Sequence, residues 1–119
     1  MTAIKTYRDL LVWQKSMQLV TEIYKNTKSF PAGELYGLTS QLRRCAISLP
    51  SNIAEGYGRR STRDYVRFLR IACGSLYELQ TQLEIALNLA YLKLEEFERL
   101  YETTREIERM LSSLIHKLE

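Results

Sequence analysis

The chain has 119 residues, with 17 Lys and Arg against 14 Asp and Glu, which gives a formal net charge of +3. This length predicts a single domain over residues 1–119 with one core. Apolar content of 45% with 26% charged residues argues against disorder, and five Gly with two Pro are too few for a turn-rich β protein.

The first half of the chain contains two amphipathic segments. In both, apolar residues recur at alternating spacings of three and four, as on one face of a helix. The first segment is expected to run from about Tyr7 to Lys28, and Phe30-Pro31-Ala32-Gly33 ends it. Its stripe is Leu10, Trp13, Met17, Val20 and Tyr24, and the second stripe is Leu35, Leu38, Leu42, Cys45 and Leu49.

Two longer segments follow. Ser61 places a capping hydroxyl before the third helix, with Asp64 three positions on, and this helix is expected to end near residue 91. The third stripe is Tyr65, Leu69, Ala72, Leu76, Leu79, Leu83, Ala86 and Ala90, and the fourth is Phe97, Leu100, Thr104, Ile107, Leu111, Leu114 and Leu118. Four helices with short links predict an all-α, antiparallel up-down four-helix bundle.

Pro50 conflicts with a straight second helix, because proline removes a backbone hydrogen bond and clashes with the preceding turn. We expect a kinked helix that ends near Gly56 or Gly58, two glycines suited to a positive φ at a helix end. The short side chains of Ser51 and Asn52 are expected to bond backbone groups freed near Ala46. The stretch Pro50, Asn52, Glu55 and Gly56 is therefore interpreted as structural.

No catalytic or metal site is predicted. His116 is the only histidine and falls near the end of the fourth helix, where the helix dipole favours a cation. Cys45 and Cys73 have no metal-ligand spacing and suit buried, reduced thiols. Glu55 is expected to pair with a nearby arginine or to cap buried polar backbone around Pro50. No cofactor follows from these residues.

The sequence shows no membrane segment and no signal peptide. No apolar run approaches the roughly 18–20 residues that a membrane span needs. The N-terminus also lacks the apolar stretch and the cleavage site of a secretory signal. We therefore expect a cytoplasmic protein with no membrane partner.

Charge is unevenly distributed. Residues 1–60 hold nine basic and four acidic side chains, net +5, whereas residues 61–119 hold eight and ten, net −2. Every basic residue between positions 42 and 70 is an arginine: Arg43, Arg44, Arg59, Arg60, Arg63, Arg67 and Arg70. Helical spacing places Arg63, Arg67 and Arg70 on one outward ridge. The fourth helix carries an acidic ridge of Glu95, Glu98, Glu102 and Glu106.

Two uses of the arginines fit this pattern. The planar guanidinium suits phosphates, so the seven arginines are candidate contacts to an RNA or DNA backbone. Alternatively, Arg63, Arg67 and Arg70 meet the acidic ridge of another protomer in a head-to-tail interface that closes into a ring. Of the nearby rings, Tyr65 belongs to the core stripe, which leaves Tyr57 for stacking on bases.

Several stretches resemble one bacterial family. The residues that carry the resemblance are Leu11-Val12-Trp13-Gln14-Lys15, Phe30-Pro31, Leu38-Thr39-Ser40-Gln41-Leu42-Arg43-Arg44, Ser48-Leu49-Pro50-Ser51-Asn52-Ile53-Ala54-Glu55-Gly56 and Phe68-Leu69-Arg70-Ile71-Ala72. They are similar to the four-helix-bundle proteins encoded in 23S rRNA intervening sequences, a family that includes the accessory variability proteins of diversity-generating retroelements. Cys45 and Cys73 depart from the residues expected at those positions.

The resemblance implies a small antiparallel bundle that assembles as a homopentamer and has no known catalytic activity. In the retroelement branch, it implies a basic pentamer that binds nucleic acid and a reverse transcriptase. Arg43, Arg44, Arg59 and Arg60 match the basic positions of the family. A net charge of +3 is low for a nucleic-acid carrier.

Overall fold

A computed structural model of the chain describes residues 3–119. Four helices make up most of this range: α1 (Leu11–Thr27), α2 (Leu38–Tyr57), α3 (Thr62–Asn88) and α4 (Leu94–Leu118). Short 3-10 turns at Tyr7–Asp9 and Ala32–Glu34 precede α1 and α2. The all-α prediction is confirmed, although α2 begins three residues after Leu35 and α3 ends at Asn88 instead of near residue 91.

Each helix packs against two neighbours in the order α1, α2, α3, α4, and α4 closes the bundle against α1. Short connections make successive helices antiparallel. Polar contacts fix the register, because Lys15 of α1 pairs with Glu106 of α4 at 2.8 Å and Cys45 of α2 contacts Glu78 of α3. The molecule measures 43 × 27 × 20 Å.

The predicted apolar stripes of α3 and α4 line the core, except that Ala90 lies beyond the end of α3 and is exposed. Leu69, Leu76, Leu79, Ile107 and Leu111 are fully buried. The predicted second stripe lines the core only from α2 onward, because Leu35 lies before the helix and is exposed.

The stripe predicted for α1 is displaced from the face that is buried. Met17 and Tyr24 are exposed, and the buried face is instead Val12, Ser16, Leu19, Ile23 and Thr27. Burial of two polar residues is possible because the hydroxyls of Ser16 and Thr27 donate to backbone carbonyls of their own helix, at 2.7 Å each.

Helix α2 continues through the buried Pro50 and ends at Tyr57, between the two glycines near which its end is expected. The predicted bond to backbone groups near Ala46 is not made by Asn52, whose Nδ2 donates instead to the carbonyl and to the hydroxyl of Ser48, both at 2.8 Å. The amide side chain reaches back one turn from its own position, and this places Ser48 within its range.

The positive φ expected at the glycines is wrong. Gly58 has φ −76°, and among the described residues no glycine has a positive φ. Gly56 is needed for another reason, since a Cβ at this position would lie 2.7 Å from Cβ of Phe68 on α3. The positive φ falls on Ala90, at 62°, in the connection to α4.

Candidate nucleic-acid interface

The turn between α2 and α3 and the first two turns of α3 carry four exposed arginines, which we call the turn patch: Arg59, Arg60, Arg63 and Arg67. The hydroxyl of Ser61 accepts a hydrogen bond from the backbone N–H of Asp64 at 3.1 Å, so the predicted cap of α3 is confirmed. This cap starts α3 directly after Arg60. Arg63 and Arg67 then lie one helical turn apart on its outer surface.

Internal contacts hold two of these side chains in place. Arg59 pairs with Glu55 at 2.9 Å, the first of the two roles expected for Glu55, and Arg67 lies 3.8 Å from Asp64. Both guanidinium groups stand over the ring of Phe68, at 4.6 and 4.8 Å from its centre. Such cation–π contacts favour a fixed guanidinium position.

The other two side chains of the turn patch are unneutralised. Within residues 3–119, Arg60 and Arg63 form no ion pair. An exposed guanidinium with no internal partner keeps its donors available for an external anion. The turn patch therefore combines two positioned arginines with two free ones.

Arg70 extends the patch along α3. It is exposed and pairs with the side chain of Glu119 at 2.6 Å. Arg63, Arg67 and Arg70 surround a shallow groove of about 460 Å³ whose floor includes Val66 and Ile71. The three arginines thus lie along one outward surface with apolar residues between them.

Arg43 and Arg44 lie apart from the turn patch, in the first half of α2. Nε of Arg43 donates to the hydroxyl of Thr27 at 3.0 Å, and its guanidinium lies 4.6 Å from the centre of the Tyr24 ring. Arg43 is half-buried and joins α2 to α1. Arg44 is exposed on the side of α2 that faces α3. The seven arginines therefore do not form one surface.

The acidic ridge of α4 divides into two residues that form ion pairs and two that do not. Glu106 pairs with Lys15 of α1, and Glu102 pairs with Arg109 at 3.3 Å. Glu95 and Glu98 lie in the first turns of α4, at the end of the bundle opposite the turn patch, and both are exposed. Only these two acids of the ridge lack an ion pair in the described part of the chain.

The thiols and the histidine stand apart from one another. Cys45 and Cys73 are only half-buried, and burial raises the pKa of both thiols. His116 is exposed near the end of α4. Among residues 3–119, no three His, Cys, Asp or Glu side chains are grouped so as to hold a metal ion.

Sequence reasoning considered Tyr57 for base stacking and overlooked Tyr36. Tyr57 is half-buried and packs edge-on against Tyr65, with ring centres 6.0 Å apart. Tyr36 is 93% exposed in the segment between α1 and α2. The available signal was its position, because Tyr36 falls between the stripe residues Leu35 and Leu38 and directly before Gly37.

None of the helices described within residues 3–119 is both long enough and apolar enough to cross a bilayer.

The chain is similar to a protein family and to a solved structure. The family model of the 23S rRNA-intervening sequence protein matches residues 8–113. A crystal structure of a protein of unknown function, from the S23 ribosomal protein family of Bacteroides thetaiotaomicron, is 26% identical with a TM-score of 0.81. The alignment covers 88% of this chain and 98% of that one. No curated protein sequence matches the chain.

Proposed function

The chain belongs to the 23S rRNA-intervening sequence protein family, and from its surface we propose that it is a non-enzymatic, oligomeric protein whose turn patch binds the backbone of RNA or DNA. The observation that carries this proposal is the pair of exposed arginines without ion pairs, Arg60 and Arg63, beside the positioned Arg59 and Arg67. One guanidinium can donate two parallel hydrogen bonds to phosphate oxygens. Four of them around the start of α3 therefore suit a phosphodiester chain.

Placement of the charges supports contact with phosphates over contact with bases. Phe68 is buried beneath two guanidinium groups of the turn patch, and Tyr65, between Arg63 and Arg67 in the sequence, is half-buried against Tyr57. Contacts to phosphate give little sequence preference and a strong dependence on salt. Several protomers in one assembly would add their modest contacts through avidity.

A second candidate function is a scaffold in which the same arginines bind another protomer. The supporting observation is that the turn patch and the exposed Glu95 and Glu98 lie at opposite ends of the bundle. Such an arrangement allows head-to-tail contact, which closes into a ring when the rotation between protomers permits. The homopentamer and the role of Arg63, Arg67 and Arg70 in its interface belong to this proposal.

A reverse transcriptase is proposed as a further partner only on the resemblance to retroelement accessory proteins. The genes that surround the coding sequence distinguish the two contexts. A reverse-transcriptase gene beside it supports this partner, whereas a location inside a 23S rRNA gene argues against it.

Retention on immobilised RNA and DNA at low salt tests the proposed function. The test variant changes Arg59, Arg60 and Arg63 together to Gln, and the matched control changes three exposed arginines of α4, Arg99, Arg105 and Arg109, to Gln. Both variants lose the same charge, so a local binding site is separated from net charge.

We expect the wild type and the α4 control to be retained and the turn-patch variant to elute early. Equal loss in both triple variants would show a general charge effect. Wild-type protein that is not retained on either nucleic acid would contradict the proposed function. If the wild type is not retained and the turn-patch variant also dissociates the oligomer, the scaffold is the better account.

A further inference from the structure

A second groove lies between α2 and α3, toward the end opposite the turn patch. It has a volume of about 430 Å³, within the range of small-molecule sites. We call it the α2–α3 groove, and its lining is almost entirely polar: Tyr36, Ser40, Gln41, Arg44, Cys45, Ser48, Ser75, Glu78 and Gln82.

The walls of this groove are matched polar side chains from the two antiparallel helices. The hydroxyls of Ser48 and Ser75 are 2.8 Å apart, and the thiol of Cys45 lies 3.5 Å from a carboxylate oxygen of Glu78. These pairs occupy successive turns of α2. Since the neighbouring faces of the same helices carry leucine, this polar strip is a distinct surface of the bundle.

The groove also contains an acceptor that the protein does not satisfy. Gln82 is only 9% exposed, and its Nε2 donates to Oε1 of Gln41 over a long 3.5 Å. Its own Oε1 is buried and has no donor among the described residues. A buried polar atom without a partner is unusual in a folded protein. An N–H group of a ligand would satisfy it once the Gln82 amide turns toward the groove that it lines.

An aromatic ring and a free cation stand at the edge of the same groove. Tyr36 is 93% exposed. Arg44 is exposed and forms no ion pair within residues 3–119. An aromatic face, a guanidinium and amide groups are the parts with which proteins hold unpaired nucleotides.

We propose that the α2–α3 groove holds one unpaired nucleotide of a single strand, with its base stacked on Tyr36, the base edge at the amides of Gln82 and Gln41, and a phosphate on Arg44. This inference rests on the proposed function and gives it a substrate class, the single strand. Arg44 and Glu55, the partner of Arg59, are eleven positions apart in α2. That is about 16 Å along the helix axis, so one strand can reach both the groove and the turn patch.

Fluorescence anisotropy with labelled oligouridylate, oligothymidylate and a duplex RNA of the same length tests this site. Tyr36→Ala removes the stacking face, and Tyr36→Phe retains it. Tyr77→Ala is the matched control, because Tyr77 is also an exposed tyrosine but lines a different surface between α3 and α4. Both tyrosines are exposed, so these variants are expected to fold, and thermal unfolding checks that they do.

We expect Tyr36→Ala to weaken binding of both single strands about tenfold, in line with the loss of one stacked base. Tyr36→Phe and Tyr77→Ala should bind both single strands within about twofold of the wild type. Tyr36→Ala should bind the duplex within the same range. Arg44→Gln should weaken the single strands and reduce the salt dependence by about one phosphate contact.

Two outcomes overturn the inference in distinguishable ways. If Tyr36→Ala binds both single strands as the wild type does, the groove is not a nucleotide site, and the turn patch remains the proposed contact. If the wild type binds none of the three probes at low salt, the proposed function itself fails and the groove proposal fails with it.

Discussion

Two adjacent arginines of α2 have different tasks. Arg43 is half-buried, bonds to Thr27 and covers the ring of Tyr24, whereas Arg44 is exposed without an ion pair in the described range. Successive helical residues point about 100° apart, so neighbours in sequence face different surroundings. A count of arginines along the chain cannot separate a residue that joins two helices from one that is free to bind.

These two residues therefore predict opposite effects. Arg43→Gln should lower the free energy of unfolding by about 1–2 kcal/mol, because it removes a hydrogen bond and a cation–π contact between α1 and α2. Arg44→Gln should change it by less than about 0.5 kcal/mol. Urea unfolding of both variants provides the measurement. Equal stability of the two variants would contradict these assignments.

The candidate site was predictable only in part for the same reason. Helical spacing places Arg63, Arg67 and Arg70 on one surface, and the structure has all three exposed. It does not bring Arg43 and Arg44 to that surface. Tyr36 escaped notice because exposure outside a helix depends on how the connection folds over the bundle, which periodicity does not describe.

At the scale of the elements, the sequence predicts helices better than it predicts their buried faces. The long stripes of α3 and α4 leave one choice of face, and that choice is confirmed. In α1 the polar residues Ser16 and Thr27 occupy the core. Their hydroxyls donate hydrogen bonds to backbone carbonyls of α1, so burial leaves no polar group without a partner. The buried face of α1 is therefore set by contact with α2 and α4 and not by hydropathy alone.

The glycines of α2 and α3 give a matched test of helix packing. A Cβ on Gly56 would meet Cβ of Phe68 at 2.7 Å, whereas a Cβ on Gly74 would have nothing within 4 Å. Gly56→Ala should destabilise the protein by about 1–3 kcal/mol, because it forces α2 and α3 apart. Gly74→Ala should stabilise it by about 0.5–1 kcal/mol, because alanine favours a helix interior.

Thermal or urea unfolding distinguishes the two glycine variants by the sign of the change. A stabilising Gly56→Ala would show that α2 and α3 do not need their close approach.

At the scale of the whole molecule, charge is separated along the bundle. The turn patch lies at one end, and Glu95 and Glu98 lie at the other. Some charges on the sides of the bundle are paired, as Lys15 is with Glu106 and Arg70 is with Glu119. The turn patch and these two acids are thus exposed at opposite ends of the bundle, where either can meet a partner, nucleic acid or another protomer.

This separation and the family resemblance predict an oligomer. Light scattering should give a mass near five times the 14.0 kDa of the chain. Glu95→Gln with Glu98→Gln should lower that mass if these acids meet the arginines of a neighbour. Glu84→Gln, an exposed acid of α3, is the control. A monomer at all micromolar concentrations would contradict the assembly.

Phosphate contact by the turn patch is tested most directly by the slope of log binding constant against log salt concentration for a single strand. The wild type should give a linear, steep decrease, with about 0.7 in slope for each phosphate contact. Changing Arg59, Arg60 and Arg63 to Gln should make that slope shallower by up to about 2, with helix content unchanged. An unchanged slope in this variant, with measurable wild-type binding, would contradict the account.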